Sequence, residues 1–327
     1  MKEKIKNNMV MTTGCAINKD MYYMSCSFSD FSINEPYSRL FFYQHETKDK
    51  WFYHDRPEWR VISTCFQPAT ADKPRTVYSL SEEGDIEILN REKTSVEKIK
   101  DAGLLPTSKH YGYVNKIRYI EGSFYVCGHQ CQVYMKTSID WEHIDQEILQ
   151  PNPSPLESKA LTLERQVELY INQTTSLLDI NGNNKKNIYV VGTSGFISHY
   201  NGTTWKNFKK LTGADLHAIY IDQKNTVWVV GSQGTILTGD HINGFSMITR
   251  KELDSDFNAI TEFNGSLYIA ATDGIYKMTG LKIEKVPIKV QDVSSIDSTD
   301  GVLWALSAHK LIRFNGSTWE EFKHIDN

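Results

Sequence analysis

The chain has 327 residues, of which 40% are hydrophobic, and it carries a formal net charge of −4 with a pI near 6.2. This balance argues against a uniformly basic nucleic-acid-binding surface, and no stretch approaches the roughly 20 apolar residues of a membrane-spanning helix. Five cysteines, an odd number scattered over a large chain, indicate a reducing compartment and not a disulfide framework. Residues 1–14 lack the apolar centre of a secretory signal, so we expect a cytoplasmic protein.

Short β-strands with irregular spacing are predicted in the N-terminal third of the chain. Residues 21–26 (MYYMSC) have the composition of an inner strand. Residues 39–45 and 51–54 are predicted to form an outer pair, with a long polar loop at 28–38 before them. Two further groups of short strands follow before residue 145.

An insertion interrupts the strands between residues 144 and 177. Its proline-rich start at 151–155 predicts an extended loop. Ala160, Leu163 and Val167 then recur at helical spacing, which predicts a short amphipathic helix around 156–172. This helix would lie over one mouth of the fold, either as a lid on exposed strand ends or as an element that docks a partner.

Residues 187–208 (NIYVVGTSGFISHYNGTTWKNF) form the clearest unit of the sequence. Two β-branched and aromatic runs flank a glycine turn, and an Asn-Gly hairpin signal leads into a third strand. The unit recurs three times towards the C-terminus. Its first aromatic residue recurs at intervals of 39, 40 and 36 residues, at Tyr189, Trp228, Tyr268 and Trp304. A repeat of about forty residues that contains about four short strands predicts a β-propeller. The alternative is a β-sandwich of unrelated hairpins.

We therefore predict one all-β domain, a seven-bladed β-propeller over residues 1–327. Six blades would follow if the divergent first segment were an extension. The last blade is predicted to take its four strands from the C-terminal stretch. The ring would then close by packing of blades 1 and 7, with an edge strand from the six residues before Asn7 as the alternative. The expected blades span approximately 9–56, 57–101, 110–147, 175–209, 215–250, 257–288 and 293–326.

Few motifs in the sequence indicate chemistry. Residues 127–131 (Cys-Gly-His-Gln-Cys) have metal-ligand residue types but lack the second pair of a zinc site, so Cys127 and Cys131 are interpreted as packing residues. Residues 297–301 resemble half of a calcium loop without its later acidic ligand. Phosphate loops, nucleophile elbows and zinc-protease motifs do not occur. We expect no catalytic residue, metal or cofactor, although carboxylates of a propeller hydrolase could come together from several blades.

The loops supply the candidate binding residues. In a propeller, the links between blades and the turns between second and third strands share one face. Acidic and aromatic residues at these positions suit a basic protein partner. The alternative is a solvated loop face, diluted by Lys210, Lys251 and Lys289. The candidates are Glu82, Glu83, His110, Tyr111, Tyr113, Asp215, Asp254, Asp256, Asp273 and Asp292.

The chain resembles two groups of known proteins. The pattern V-V-G-x-x-G-x-I-x-x-Y-N-G-x-x-W is similar to repeats of bacterial propellers of the photosystem-assembly-factor and two-component-sensor type, which supports the fold. A leaderless chain rich in Lys and Asn, with irregular N-terminal blades, also resembles the propeller-type immunity proteins of contact-dependent growth-inhibition systems.

That second resemblance implies an immunity protein without enzymatic activity. It would bind one basic toxin domain as a 1:1 complex, for instance an EndoU-type RNase, and would cover its active site. Direct binding of nucleic acid or membrane is not expected. The alternatives are a sensor or assembly scaffold, and a propeller hydrolase.

Overall fold

The computed structural model describes residues 9–28, 35–151, 174–248 and 253–324. These residues form seven four-stranded antiparallel sheets, each a meander of four consecutive strands. The prediction of an all-β, seven-bladed β-propeller is confirmed. The helix predicted around 156–172 lies outside the described residues and stays a prediction. No helix in the described part of the chain is long and apolar enough to cross a membrane.

The strands of blades 1 to 4 are β1 Met9–Asn18, β2 Met21–Phe28, β3 Tyr37–Gln44, β4 Trp51–Pro57; β5 Val61–Gln67, β6 Thr76–Ser81, β7 Asp85–Asn90, β8 Thr94–Lys98; β9 Val114–Ile120, β10 Ser123–Gly128, β11 Val133–Lys136, β12 Trp141–His143; and β13 Leu177–Asn184, β14 Asn187–Gly192, β15 Phe196–Tyr200, β16 Trp205–Asn207. Those of blades 5 to 7 are β17 Leu216–Ile221, β18 Val227–Gly231, β19 Ile236–Asp240, β20 Gly244–Met247; β21 Phe257–Phe263, β22 Ser266–Ala271, β23 Gly274–Thr279, β24 Lys282–Lys285; and β25 Val293–Thr299, β26 Val302–Ser307, β27 Leu311–Phe314, β28 Trp319–Phe322. Single 3-10 turns occur at His129–Cys131 and Thr193–Gly195.

The repeat unit of the sequence folds as expected in blade 4. Strand β14 is buried along its whole length and pairs with β13 on one side and β15 on the other. Gly202 adopts a left-handed φ of 97° in the turn before β16, a conformation that glycine tolerates best. Trp141, Trp205 and Trp319 each begin the fourth strand of a blade.

The chain divides into two compact units. One comprises Met1–Ser81, Ile86–Val96 and Lys251–Asn327, and the other Glu82–Asp85 and Glu97–Arg250. The first unit holds blades 1, 6 and 7 and most of blade 2, and we call it the N/C unit. The second holds blades 3 to 5 and is called the middle unit.

Blades 1 and 7 pack directly on one another within the N/C unit. The Trp304 indole Nε1 donates to the carbonyl of Asn18 at 3.0 Å, and the Met11 amide donates to the carbonyl of Ala308 at 2.9 Å. Trp304 is fully buried in a cluster that contains side chains of both blades. In the described residues, the sheets of blades 1 and 7 each consist of four strands from their own segment of the chain. The six residues before Asn7, which could add an edge strand, lie outside the described residues, so closure of the ring by packing stays a prediction.

Candidate partner-binding surface

A repeated backbone hydrogen bond joins each link between blades to a turn of the blade that the link leads into. In blades 3 to 7, the carbonyl of the residue that precedes the first strand accepts from the amide that follows the second strand, at 2.8–3.1 Å. The accepting residues are Tyr113, Ser176, Asp215, Asp256 and Asp292. Four of the ten predicted residues thus occupy equivalent positions. We call this end of the blades, with its links and second turns, the link end.

The glycine of the V-V-G repeat is required by this contact. A Cβ on Gly231 would lie 2.0 Å from the carbonyl oxygen of Asp215, and one on Gly192 would lie 2.2 Å from that of Ser176. No side chain fits there without moving the backbone. The glycine therefore sets how closely the link approaches the end of the second strand, which positions the residues of the link end.

In the middle unit, two of the predicted carboxylates bind backbone amides of neighbouring loops. Glu83 Oε2 accepts from the Leu104 amide at 2.8 Å, and Asp215 Oδ1 accepts from the Ser194 amide at 2.8 Å. Glu82 contributes its backbone carbonyl, which accepts from the Val114 amide at 3.0 Å. These side chains are half-buried. Their main effect is to fix the shape of the loops.

The aromatic segment 110–113 is held by one buried amide. Gln132 Nε2 donates to the carbonyls of residues 111–113 at 3.0–3.4 Å. The ring of Tyr111 meets the ring of His143 edge-on at 5.8 Å. Tyr111 and Tyr113 are half-buried, whereas His110 is exposed and has a left-handed φ of 59°. The segment therefore presents a fixed aromatic edge.

Sequence reasoning missed the group that supports Tyr111. His143 Nδ1 lies 2.9 Å from Asp145 Oδ2, and its Nε2 lies 3.4 Å from Asp101. Asp145 is buried and also accepts from the Val133 amide at 2.5 Å. Burial lowers the pKa of His143, but the two carboxylates outweigh this and leave its pKa above the usual value. The short His-x-Asp spacing at the end of a fourth strand was the available signal.

In the N/C unit, Asp273 and Asp292 line a groove of 480 Å³ between blades 6 and 7. Lys285, Lys289 and Lys310 line the same groove, which we call the lysine groove. The predicted acidic character is therefore balanced here by basic side chains. Sequence reasoning placed only Lys289 near this surface, because the other two lysines reach it from the hairpins of blades 6 and 7.

Asp273 is committed to internal contacts in the lysine groove. Its carboxylate accepts hydrogen bonds from Ser255 at 2.5 Å, Tyr276 at 2.8 Å and Lys285 at 2.6 Å. Burial raises the pKa of Asp273, but these three donors outweigh it and hold the pKa below its usual value. Asp273 and Lys285 are both about half exposed, and such a pair contributes about 0–1 kcal/mol to stability.

The remaining predicted acids differ in accessibility. Asp254 and Asp292 are exposed, and Asp256 is half-buried. Asp292 has a left-handed φ of 52° and binds the turn of blade 6 through its amide, which donates to the Thr272 carbonyl at 2.7 Å. Asp254 and Asp292 are therefore the predicted acids of the N/C unit with the most accessible side chains.

The two candidate metal ligands lie in the core of the middle unit. Cys127 and Cys131 pack in the cluster between blades 3 and 4. Burial raises the pKa of Cys127 well above its usual value and that of Cys131 to about 12, so both thiols stay protonated at neutral pH. Over residues 9–28, 35–151, 174–248 and 253–324, no group of three or more His, Cys, Asp or Glu side chains is arranged to hold a metal ion.

Several solved structures are similar to this chain in fold. YCF48 bound to D1 peptide covers 92% of this chain and 90% of its own at a TM-score of 0.62 and 12% identity. The WD40 propeller domain of Doa1 gives a TM-score of 0.61, 12% identity and coverage of 92% and 91%. A catalytically inactive virginiamycin B lyase from Staphylococcus aureus with quinupristin gives a TM-score of 0.65 at 12% identity, and the match covers 93% of this chain and 94% of the lyase chain. Likeness at this identity shows the fold alone.

Sequence comparison gives one functional lead. No family model matches the chain. A curated relative, the immune protein Tsi7 of Pseudomonas aeruginosa (strain PAO1), is 27% identical over 214 residues, which are 64% of this chain and 63% of the relative. The matched region thus spans a little under two thirds of that relative's length. The chain is therefore a β-propeller repeat protein that is similar in sequence to a bacterial immunity protein.

Proposed function

We propose that this chain is an immunity protein without enzymatic activity, which acts in the cytoplasm by binding one toxin domain as a 1:1 complex. The observation that carries the proposal is the 27% identity to an immune protein over 64% of the chain. The hydrogen bonds that hold the described links of blades 3 to 7 support it, since a binding surface that is already fixed loses little conformational entropy when its partner docks.

The described contacts divide the candidate residues into two roles. Glu83, Asp215 and Asp273 hold the loops through hydrogen bonds to their own surroundings. Contact with the toxin would then come from the exposed His110, Asp254 and Asp292. The half-buried members of the predicted set would supply further contacts within each unit. They are Glu82, Tyr111 and Tyr113 in the middle unit and Asp256 in the N/C unit.

The proposed mechanism is occlusion of a basic cleft. A nuclease toxin attracts RNA phosphates with positive charge, and the same charge attracts carboxylates that are held in a fixed geometry. We propose an EndoU-type RNase as the specific target. Protection in a cell requires tight binding, so we expect nanomolar affinity, which corresponds to about −12 kcal/mol.

The decisive experiment reverses accessible charge at the link end. The double variant Asp254→Lys/Asp292→Lys is co-expressed with a candidate toxin domain of the EndoU type, and survival and association rate are measured. A matched control, Asp49→Lys/Asp72→Lys, makes the same change in net charge at exposed positions away from the link end.

We expect the link-end variant to associate about tenfold more slowly or worse, because accessible charges at an interface act mainly on the association rate. Its protection should fall while the control protects like the wild type. Equal protection by both variants, with melting temperatures unchanged, would place the interface elsewhere. A wild-type chain that binds no toxin domain, or that captures many host proteins instead, would contradict the proposed function.

A further inference from the structure

A second groove lies between blades 1 and 2 in the N/C unit, with a volume of 260 Å³. Its lining includes the first residues of two second strands, Met21 of β2 and Thr76 of β6, and the last residues of two third strands, Gln44 of β3 and Asn90 of β7. In an antiparallel meander these positions lie opposite the turn between the second and third strands. The groove is therefore at the far end of these blades from the link end, and we call it the arginine groove.

The floor of the arginine groove is apolar. It is formed by Ile17 and Phe42 of blade 1 and by Phe66 and Leu89 of blade 2. Phe42 packs on the buried Tyr23 with ring centroids 4.6 Å apart, which fixes its position. Phe52 pairs with Phe42 across β3 and β4 and is 44% exposed, so it extends the apolar surface towards the outer edge of blade 1. An exposed apolar patch of this kind is typical of an interaction site.

Two arginines border this apolar floor. Arg75 and Arg91 are exposed and line the groove. Thr76 of β6 pairs with Asn90 of β7 at the end of the hairpin furthest from its turn. Arg75 and Arg91 are the next residues beyond this pair, so they lie opposite each other on the two strands. Neither forms a hydrogen bond or ion pair with another described residue. Like charges opposed across two strands destabilise the hairpin, so a bound anion would relieve repulsion here.

We propose that the arginine groove docks a peptide segment of a second protein, in which a large apolar residue is flanked by acidic residues. The apolar side chain would pack on Phe42 and Leu89. The carboxylates would pair with Arg75 and Arg91, since guanidinium groups bind carboxylates in a bidentate geometry. Nucleic acid could also supply anions, but two arginines are a small basic patch for a backbone with one negative charge per nucleotide, so the acidic peptide is favoured and nucleic acid becomes an outcome of the test. The site goes beyond the proposed toxin interface, since it lies at the opposite end of the blades.

Three fluorescein-labelled peptides of about eight residues test this site on the full chain by fluorescence anisotropy, with no toxin present. The first has Leu and Phe at its centre and acidic flanks. The second has the same centre with lysine flanks, and the third has acidic flanks around a serine centre. An unlabelled single-stranded oligonucleotide is the competitor.

We expect the first peptide to bind with Kd of about 100 μM or tighter and the other two at least tenfold more weakly, a difference of about 1.4 kcal/mol. The double variant Arg75→Glu/Arg91→Glu should lose binding about tenfold or more, and Phe52→Ser should weaken it. The control Lys93→Glu, exposed on the neighbouring turn and not lining the groove, should bind like the wild type.

Three results would overturn the proposal. They are no saturable binding of the first peptide up to about 1 mM, equal binding of all three peptides, and displacement of the first peptide by the oligonucleotide at lower concentration. All variants are checked by thermal melting, and because they are exposed substitutions their folding should be retained. These outcomes do not depend on toxin binding at the link end.

Discussion

Replacing His199 by glutamine tests how burial of one imidazole links the stability of the fold to pH. His199 lies on β15, is only 4% exposed, and its Nε2 lies 3.0 Å from the side-chain oxygen of Asn187. Its ring stacks on that of His241 with centroids 4.4 Å apart. Burial lowers the pKa of His199 from 6.5 to about 4, and the charges of His241 and Lys206 add to this effect.

Proton uptake sets the direction of this effect. Below pH 6.5 the unfolded chain protonates this imidazole, whereas the folded chain does so only near pH 4. The contribution of the neutral, buried His199 to the free energy of unfolding is therefore complete above pH 6.5 and is lost as the pH falls towards 4. Between about pH 7.5 and about pH 4.5 the loss amounts to about 2.5 kcal/mol.

Urea unfolding followed by tryptophan fluorescence at these two pH values measures the effect. Because groups distant from His199 titrate alike in both proteins, we compare the wild type with His199→Gln, which keeps a hydrogen-bond donor for Asn187. The variant should lose about 2.5 kcal/mol less on acidification than the wild type. The exposed His110→Gln serves as the control and should follow the wild type. Equal acid losses in the wild type and His199→Gln would refute the reasoning.

Two further substitutions test the scaffold of the middle unit by urea unfolding. Asp179 is buried, forms a bidentate ion pair with Arg118 at 3.1 and 3.2 Å, and accepts hydrogen bonds from two backbone amides. Asp179→Ala should therefore lower the free energy of unfolding by about 3 kcal/mol. A loss below about 1 kcal/mol would contradict this. Gly231→Ala should cost about 1–3 kcal/mol because its Cβ would meet the Asp215 carbonyl oxygen at 2.0 Å. Gly213→Ala, which meets nothing within 4 Å, should be nearly neutral, and equal losses in both alanine variants would count against the close contact.

The fold was predictable because its repeat has a physical cause. Glycine recurs as the last residue of the second strand, where the link carbonyl leaves no room for a Cβ, as at Gly192 and Gly231. Tryptophan recurs at the start of the fourth strand, and Trp205 there donates from its indole to the Ile144 carbonyl of the preceding blade at 2.5 Å. Each blade imposes the same packing constraints, so the same residue types recur in the sequence at intervals of one blade.

The function of individual carboxylates was not predictable in the same way, because it depends on contacts between loops that share no repeat. Asp273 and Asp292 both read as acids at the link end, yet Asp273 is held by Lys285 and Tyr276 whereas the side chain of Asp292 is exposed. Sequence spacing gives no sign of this difference, since Lys285 reaches Asp273 only through the pairing of β23 with β24. A repeated scaffold therefore fixes where side chains stand, and the unrepeated pairings decide which of them can meet a partner. For this reason charge reversal at Asp254 and Asp292 tests the proposed interface better than reversal of all the predicted acids, which would also release the loops.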